Sequence, residues 1–473
     1  MHMSLEKDVA VSQSKVVALA QSIEQSIEQG GIAVGARLRS IRDAAAKEGV
    51  GRNTVVEAYA RLAARGYVEA RAGSGYYVRK PHGLRAPLPP LHVTEAVDVV
   101  SLLREQLEQH YQVRVGEGRP PASWLEGSEL RRHLRRARSH SMCEIERGYS
   151  TSWGYLPLRT TIAHMLCERS IHVNERQVLL TQGANHALDL IVRHLLEAGD
   201  EVLVDAPGYY PLFGKLRLAK VQMLGVRRQA DGPDLDALEA ILQTRRPKVF
   251  FTQSLAHNPT GGSISLPKAH RLMQLAATHG FLVVEDDPFA DLQPATAPRL
   301  AALDQLERVI YVSSFSKTLS ADLRVGYIAA ATHRINALCD LKMVTVVSTS
   351  EFVERVVHEL LSSGQYWRHL SRLRERIGEA LGPGLKALER LGLAVRHSQS
   401  GGYYLWLELP QGMTESALVS GAAQRSIFLA PGSVFYPDRQ GAQQALRVNV
   451  GYVNDARFLH FLEGALDAWN SGL

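Results

Sequence analysis

Val312-Ser313-Ser314-Phe315-Ser316-Lys317-Thr318-Leu319, followed by Leu323-Arg324-Val325-Gly326-Tyr327, sets one lysine among hydroxyl side chains directly after an apolar run, with an arginine seven positions on. The lysine amine can form an imine with an aldehyde. Ser314, Ser316 and Arg324 can surround a phosphate with charge-assisted hydrogen bonds. These are the requirements of a covalently held, phosphate-bearing cofactor.

Working upstream, further motifs fall where an apolar strand pattern ends. Thr181-Gln182-Gly183-Ala184-Asn185 closes Val178 to Leu180 and opens a helical pattern through Leu188, Ile191 and Leu195. Backbone N–H groups at such a helix start make an anion site. Pro207-Gly208-Tyr209-Tyr210 puts an aromatic in the turn after Val202 to Val204. His257-Asn258-Pro259-Thr260-Gly261 follows Val249 to Thr252, and Glu285-Asp286-Asp287-Pro288 closes Phe281 to Val284. Strand ends are where open α/β sheets collect ligands. Taken singly, each motif has a plainer reading: Asn-Pro-x-Gly is a turn, an Asp after a strand is a cap, and an Arg in a C-terminal strand sits on the surface. Their order carries the functional reading, as do the 28 residues from Asn258 to Asp286 and the 31 from Asp286 to Lys317.

From about Gly118 to the C-terminus the chain resembles a fold-type I aminotransferase, a family that depends on pyridoxal 5′-phosphate (PLP). The resemblance implies an α/β large domain with a mainly parallel sheet, closed by a smaller domain. It implies that Lys317 forms the internal aldimine, Asp286 pairs with the pyridine nitrogen, Asn258 hydrogen-bonds the ring hydroxyl and Tyr209 stacks on the ring. Ala184, Asn185, Ser314, Ser316 and Arg324 would hold the phosphate. Tyr149, in Gly148-Tyr149-Ser150-Thr151-Ser152-Trp153-Gly154-Tyr155, would reach the phosphate of the other subunit, and Arg447 would take a substrate α-carboxylate. Each residue type suits its place: a carboxylate keeps the pyridine nitrogen protonated, and the arginine fork fits a carboxylate bidentately. One position departs from the pattern. Phe289 stands where a tyrosine commonly donates to the ring oxygen, leaving that oxygen dependent mainly on Asn258.

The first eighty residues read differently. Gly35 to Ala45 and Gly51 to Leu62 form two short helical patterns separated by a glycine turn, a helix-turn-helix. Gly66 to Val78 has the form of a β-hairpin with a glycine tip. Between residues 31 and 80 ten Lys or Arg face four Asp or Glu, a balance of +6 that equals the formal net charge of the whole chain. A basic module on a near-neutral body points to a phosphate-backbone partner. The segment resembles the winged-helix domain of the GntR superfamily. By that resemblance Arg42, Arg52, Asn53 and Thr54 face DNA from the helix-turn-helix, with Ser74 and Gly75 at the wing. Arg39 replaces a common proline before Ser40, and Gly51 replaces the usual Ser or Thr helix cap. Glycine at that cap costs only a few tenths of a kcal/mol. Arg131, Arg132, Arg135 and Arg136 share a helical spacing and read as a solvated face, with an extended DNA track as the alternative.

The proline-rich stretch Pro81 to Pro90 favours extended chain and marks a boundary, and Val97 to His110 reads as a short amphipathic helix. The expected organisation is a winged helix-turn-helix over 1–80, a linker over 81–117 and a PLP-binding effector domain over 118–473. This resembles the MocR subfamily of GntR regulators. The resemblance implies a PLP-dependent transcriptional regulator that binds a double-stranded DNA operator, senses an amino compound or PLP itself, and forms a homodimer. A working aminotransferase with an accessory DNA-binding module is the alternative.

At 473 residues, 45% hydrophobic and 22% charged, the chain can bury a large core. Cys143, Cys167 and Cys339 lack metal-ligand spacing, which predicts reduced thiols, no metal site and a cytoplasmic location. No long apolar run predicts a membrane span.

Overall fold

The computed structural model describes residues 15–27, 31–71, 74–79, 99–125, 149–397, 402–439 and 442–471. The proline-rich stretch 81–90, the four arginines between 131 and 136, and Cys143 and Gly148 lie outside the described residues. The chain forms two compact units, Met1–Leu91 and His92–Leu473. The described part of the stretch read as linker, from Val99 onward, packs into the second unit, where Leu102, Val113 and Val115 are buried.

In the first unit a helix across 15–27 precedes α1 (Ile41–Glu48), α2 (Arg52–Ala64) and the antiparallel strands β1 (Val68–Arg71) and β2 (Gly75–Val78). Val55, Ala58, Tyr59 and Leu62 recur at helical spacing and face one core with Val16, Leu38, Ala44, Ala45, Val68 and Val78. Ser40 caps α1, its side chain accepting from the Asp43 N–H. Gly49 ends the helix at φ 61°, a left-handed conformation that glycine adopts without strain. Gly51 begins α2 with no side-chain cap, as its missing hydroxyl dictates. The helix-turn-helix and wing read from the sequence are thus present.

The second unit opens with α3 (Val99–Glu108) and is built on an eight-stranded sheet. Its strands are β3 (Val178–Thr181), β4 (Glu201–Ala206), β5 (Gln222–Gln229), β6 (Gly232–Pro233), β7 (Val249–Thr252), β8 (Leu282–Asp286), β9 (Val309–Ser314) and β10 (Gly326–Ala329), in the order β3-β10-β9-β8-β7-β4-β5-β6. The run β9-β8-β7-β4-β5 is parallel. Of these, β9, β8, β7 and β4 are buried on both faces, which is why they read as continuous apolar runs, whereas β5 is largely exposed. Alternate residues feed two cores: Phe250, Val283, Val309 and Tyr311 lie in one, and Val249, Phe251, Val284, Ile310 and Val312 in the other. A second, antiparallel sheet, β11 (Ala394–His397), β12 (Tyr404–Glu408), β14 (Ala445–Asn449) and β13 (Ala430–Pro431), carries Arg447.

Just past β8, Asp287 accepts from Arg299 Nε at 2.9 Å and from the Tyr311 hydroxyl at 2.8 Å, all three side chains being buried. Removing the carboxylate strands a buried cation. Asp287→Ala is therefore expected to cost about 3–5 kcal/mol, seen as a lower urea midpoint with an unchanged slope.

Candidate functional site

Each upstream motif lies at the carboxyl end of its strand, so the parallel order of β9, β8, β7 and β4 gathers them on one edge of the sheet. Three consecutive acids end β8, and their partners separate them. Glu285 is committed to Ser254 and to the N–H groups of Leu300 and Ala301. Asp287 is held by Arg299 and Tyr311. Asp286 has one oxygen bonded to Gln253 Nε2 at 2.6 Å, and its buried Oδ1 has no partner. Burial pushes the Asp286 carboxyl up to about 7, opposed by the Gln253 hydrogen bond and the nearby Lys317 charge. A cationic or N–H group placed against Oδ1 would satisfy it and hold it ionised. Tyr209 borders the same small cavity as Asp286 and Gln253, and burial raises its hydroxyl well above the usual range.

Lys317 follows β9 by three residues, and its Nζ donates to the Gly118 carbonyl. That carbonyl also accepts from the Tyr404 hydroxyl at 2.9 Å, while the Tyr403 hydroxyl bonds the Lys317 carbonyl at 2.9 Å. Phe289 lies edge-on to both tyrosines and is fully buried.

The phosphate-side residues meet across β10, where Gly326 pairs with Thr181 on one side and Ser314 on the other. The helix Ala184–Leu195 begins there with no side-chain cap, so its first N–H groups, at Ala184 and Asn185, are open to an anion. Arg324 sits in the left-handed region at φ 51° and donates to the Gln182 carbonyl at 2.9 Å. Its guanidinium crowds Gly183 so closely that a Cβ there would come within 2.9 Å of it. Ser316 Oγ is buried without a partner. An uncapped helix start, an arginine, an orphaned hydroxyl and an orphaned carboxylate oxygen, set around one lysine, fit PLP.

Arg447 is 1% exposed, and its guanidinium lies 4.8 Å from the Tyr404 ring centroid and 5.0 Å from that of Phe435. It donates to Asn258 Oδ1 at 3.2 Å and to the Gly116 carbonyl at 2.6 Å, while Nε has no partner. With Oδ1 so engaged, the Asn258 amide N–H group is the one left to face a ring oxygen. Tyr149 stands apart from these groups, 89% exposed, on a stretch pinned by Ser150 to the Thr349 carbonyl and by Ser152 to the Val347 carbonyl.

In the first unit Arg42, Arg52 and Asn53 are exposed and Thr54 half-buried, at the start of α1 and α2. Gly75 is exposed at the hairpin tip, whereas Ser74 is turned back onto the Tyr77 hydroxyl at 2.7 Å. Sequence reasoning missed two neighbours: the Arg71 guanidinium lies 4.4 Å over the Tyr77 ring, and Arg37 lies against Gly75. Charge alone gave no means of choosing them among the other arginines.

The aminotransferase class I and II family matches residues 112–464, and the bacterial regulatory protein gntR family matches residues 15–78. A 2-aminoadipate transaminase of Thermus thermophilus is 35% identical over 65% of this chain and 77% of its own. An HTH-type transcriptional regulator of Escherichia coli, YdcR, is 31% identical over 89% of this chain and 92% of its own. Among solved structures, the α-aminoadipate aminotransferase LysN of Thermus thermophilus, complexed with a phosphopyridoxyl-leucine, is 30% identical at a TM-score of 0.71, covering 80% of this chain and 98% of that one. The chain therefore belongs to the aminotransferase class I and II family over its larger, PLP-binding part and carries a GntR-type DNA-binding domain in front of it, the arrangement of MocR regulators.

Proposed function

We propose that in this DNA-binding regulator PLP, carried on Lys317, turns the second unit into a receptor for an amino compound bearing a carboxylate, or for PLP itself. The observation that carries this reading is the buried Asp286, with its unpartnered oxygen beside Lys317, in a chain that also holds a winged helix. PLP, when bound, supplies an electron-accepting ring and an aldehyde for amines. The protein's own groups do the rest: Asp286 holds a proton on the ring nitrogen, Asn258 orients the ring oxygen and Tyr209 covers a ring face. Ala184, Asn185, Ser314, Ser316 and Arg324 bind the phosphate, and Arg447 binds the carboxylate of the incoming compound. The proposed division of the chain is a DNA-binding domain over 1–80 and an effector domain whose PLP-binding part runs from 118 to 473.

The exposed Tyr149, with the exposed Met343, Val344 and Val347 on and after the nearby helix Thr332–Val346, supports a homodimer in which Tyr149 serves the partner's phosphate. Sedimentation of the full chain should give a dimer, and a monomer at micromolar concentration would remove that part of the proposal.

DNA recognition is tested separately. Arg42→Ala and Arg52→Ala are expected to weaken operator binding by about 1–3 kcal/mol where the arginine reads a base edge, with no change in the visible spectrum of bound PLP. Unchanged affinity in both variants would show that these helix starts do not dock on DNA. Likeness to a transaminase and an intact lysine, aspartate and arginine set favour a second reading, a working aminotransferase with an accessory module. A gel shift on the protein's upstream DNA, run beside turnover with an amino acid and a keto acid, separates the two.

A further inference from the structure

We infer that Gln253 is a positioning residue that aims Asp286 and Asn258 at the cofactor through the two ends of one side-chain amide, an assignment that rests on the PLP reading above. Gln253 follows β7 and is 4% exposed. Its Nε2 donates to Asp286 Oδ2 at 2.6 Å, and its Oε1 accepts from the Asn258 backbone N–H at 2.7 Å. Its own backbone is fixed as well: the N–H donates to Asp205 Oδ2 at 3.2 Å, and the carbonyl accepts from Arg228 Nη2 at 2.8 Å. Asp205 and Arg228 form a buried ion pair at 3.1 Å, and Thr252 Oγ1 also donates to Asp205 at 2.8 Å. The amide is therefore anchored from behind and spans two functional groups in front.

The orientation of the amide follows from donor and acceptor chemistry. A backbone N–H can only donate, so Oε1 must face Asn258 and Nε2 must face Asp286. A donor against Oδ2 favours the ionised carboxylate and leaves Oδ1 as the oxygen free to meet a ring nitrogen. The same amide fixes the Asn258 backbone, whose side chain in turn accepts from Arg447. Asp286, Gln253, Asn258 and Arg447 thus form one chain of hydrogen bonds in which both ends of the Gln253 amide are engaged by protein groups. Burial makes the hydrogen bonds of such a network costly to break.

The test uses full-length protein stripped of cofactor and titrated with PLP, followed by visible absorbance and borohydride capture. Gln253→Glu is nearly isosteric. In its protonated form the new side chain can donate to Asp286 and still accept from Asn258, so near pH 6 PLP affinity should stay close to that of the unmutated protein. As the proton is lost, two carboxylates face each other, and the ratio of variant to unmutated dissociation constants should rise by about tenfold or more toward pH 8.5. A role in packing alone would give a ratio that does not move with pH, and that result would overturn the inference. Gln253→Met, which fills the space without either hydrogen bond, should weaken PLP binding by about tenfold throughout, and unchanged binding there also overturns it. If the unmutated protein forms no borohydride-stable adduct, the PLP reading itself fails and the inference falls with it. If that adduct forms and both variants match it, only the positioning role is lost.

Discussion

Lys317→Ala should abolish the covalent capture of PLP outright. The unmutated protein, mixed with PLP, should develop visible absorbance that borohydride fixes as a stable adduct on a peptide containing residue 317. The variant should show free-aldehyde absorbance and no adduct. The effect is expected to be complete because, among the described residues, the buried Lys342 behind the stretch around residue 152 is tied to the Ser152 and Leu180 carbonyls and to Thr349. Burial lowers Lys342 to about 8, opposed by the neighbouring Glu354 charge, so any label on it must be told apart from one on Lys317. Peptide mapping is for that reason part of the measurement. An adduct of equal yield in Lys317→Ala, whether on Lys342 or elsewhere, contradicts the assignment. The alanine also removes one of the two donors to the Gly118 carbonyl, so PLP should be added at saturating concentration to keep weakened affinity apart from lost chemistry.

Arg447→Ala should leave the PLP adduct on Lys317 and erase the spectral response to amino acids. Truncating one partner of a buried charge pair typically costs about 2–5 kcal/mol, which corresponds to roughly a 30-fold or larger rise in the amino acid concentration needed for half response. Arg447→Lys separates charge from geometry: an ammonium keeps the cation but cannot grip a carboxylate with a planar fork, so it should recover only part of the response. A response unchanged in Arg447→Ala would mean that the effector has no carboxylate at this place, or that PLP supply is itself the signal. Because Arg447 also bonds Asn258 and Gly116, the PLP dissociation constant must be measured in the same variant.

What was legible in the sequence was whatever a strand end exposes. Lys317, Asp286, Asn258 and Tyr209 follow apolar runs whose length and β-branched content announce buried parallel strands, and a change of chemistry at the end of such a run stands out. The two glycines that shape the first unit, Gly49 and Gly51, were legible for a similar reason: one ends a helix and one begins the next. The partners of these residues were not legible. Gln253 lies in an unremarkable stretch between β7 and Asn258, and its importance comes from which atoms face it once β7 and β8 lie side by side. Tyr403 and Gly118 meet Lys317 from positions 86 residues downstream and 199 residues upstream, and no local pattern encodes that meeting. The apolar face of Val97 to His110 was legible as an amphipathic helix, but nothing local said that Leu102, Val113 and Val115 would join the core of the second unit.

The carbonyl groups of residues 116 to 119 lead to a last consequence. Gly116 accepts from Arg447, Gly118 accepts from Lys317 and Tyr404, and Asn449 Nδ2 bonds the carbonyls of Glu117 and Arg119 at 2.8 and 2.7 Å. This short run of backbone thus occupies the same donors that an aldehyde and a carboxylate would claim. With the ligand bound as proposed, ligand and main chain would compete for one lysine and one arginine, and a buried carbonyl left without any donor would forfeit about 1–3 kcal/mol. By linkage, whatever affinity such a ligand lost to this competition would reappear as a bias on the position of residues 116 to 119. The cost of emptying those carbonyls would thus fall on residues 116 to 119, the short segment that follows α3 in the chain.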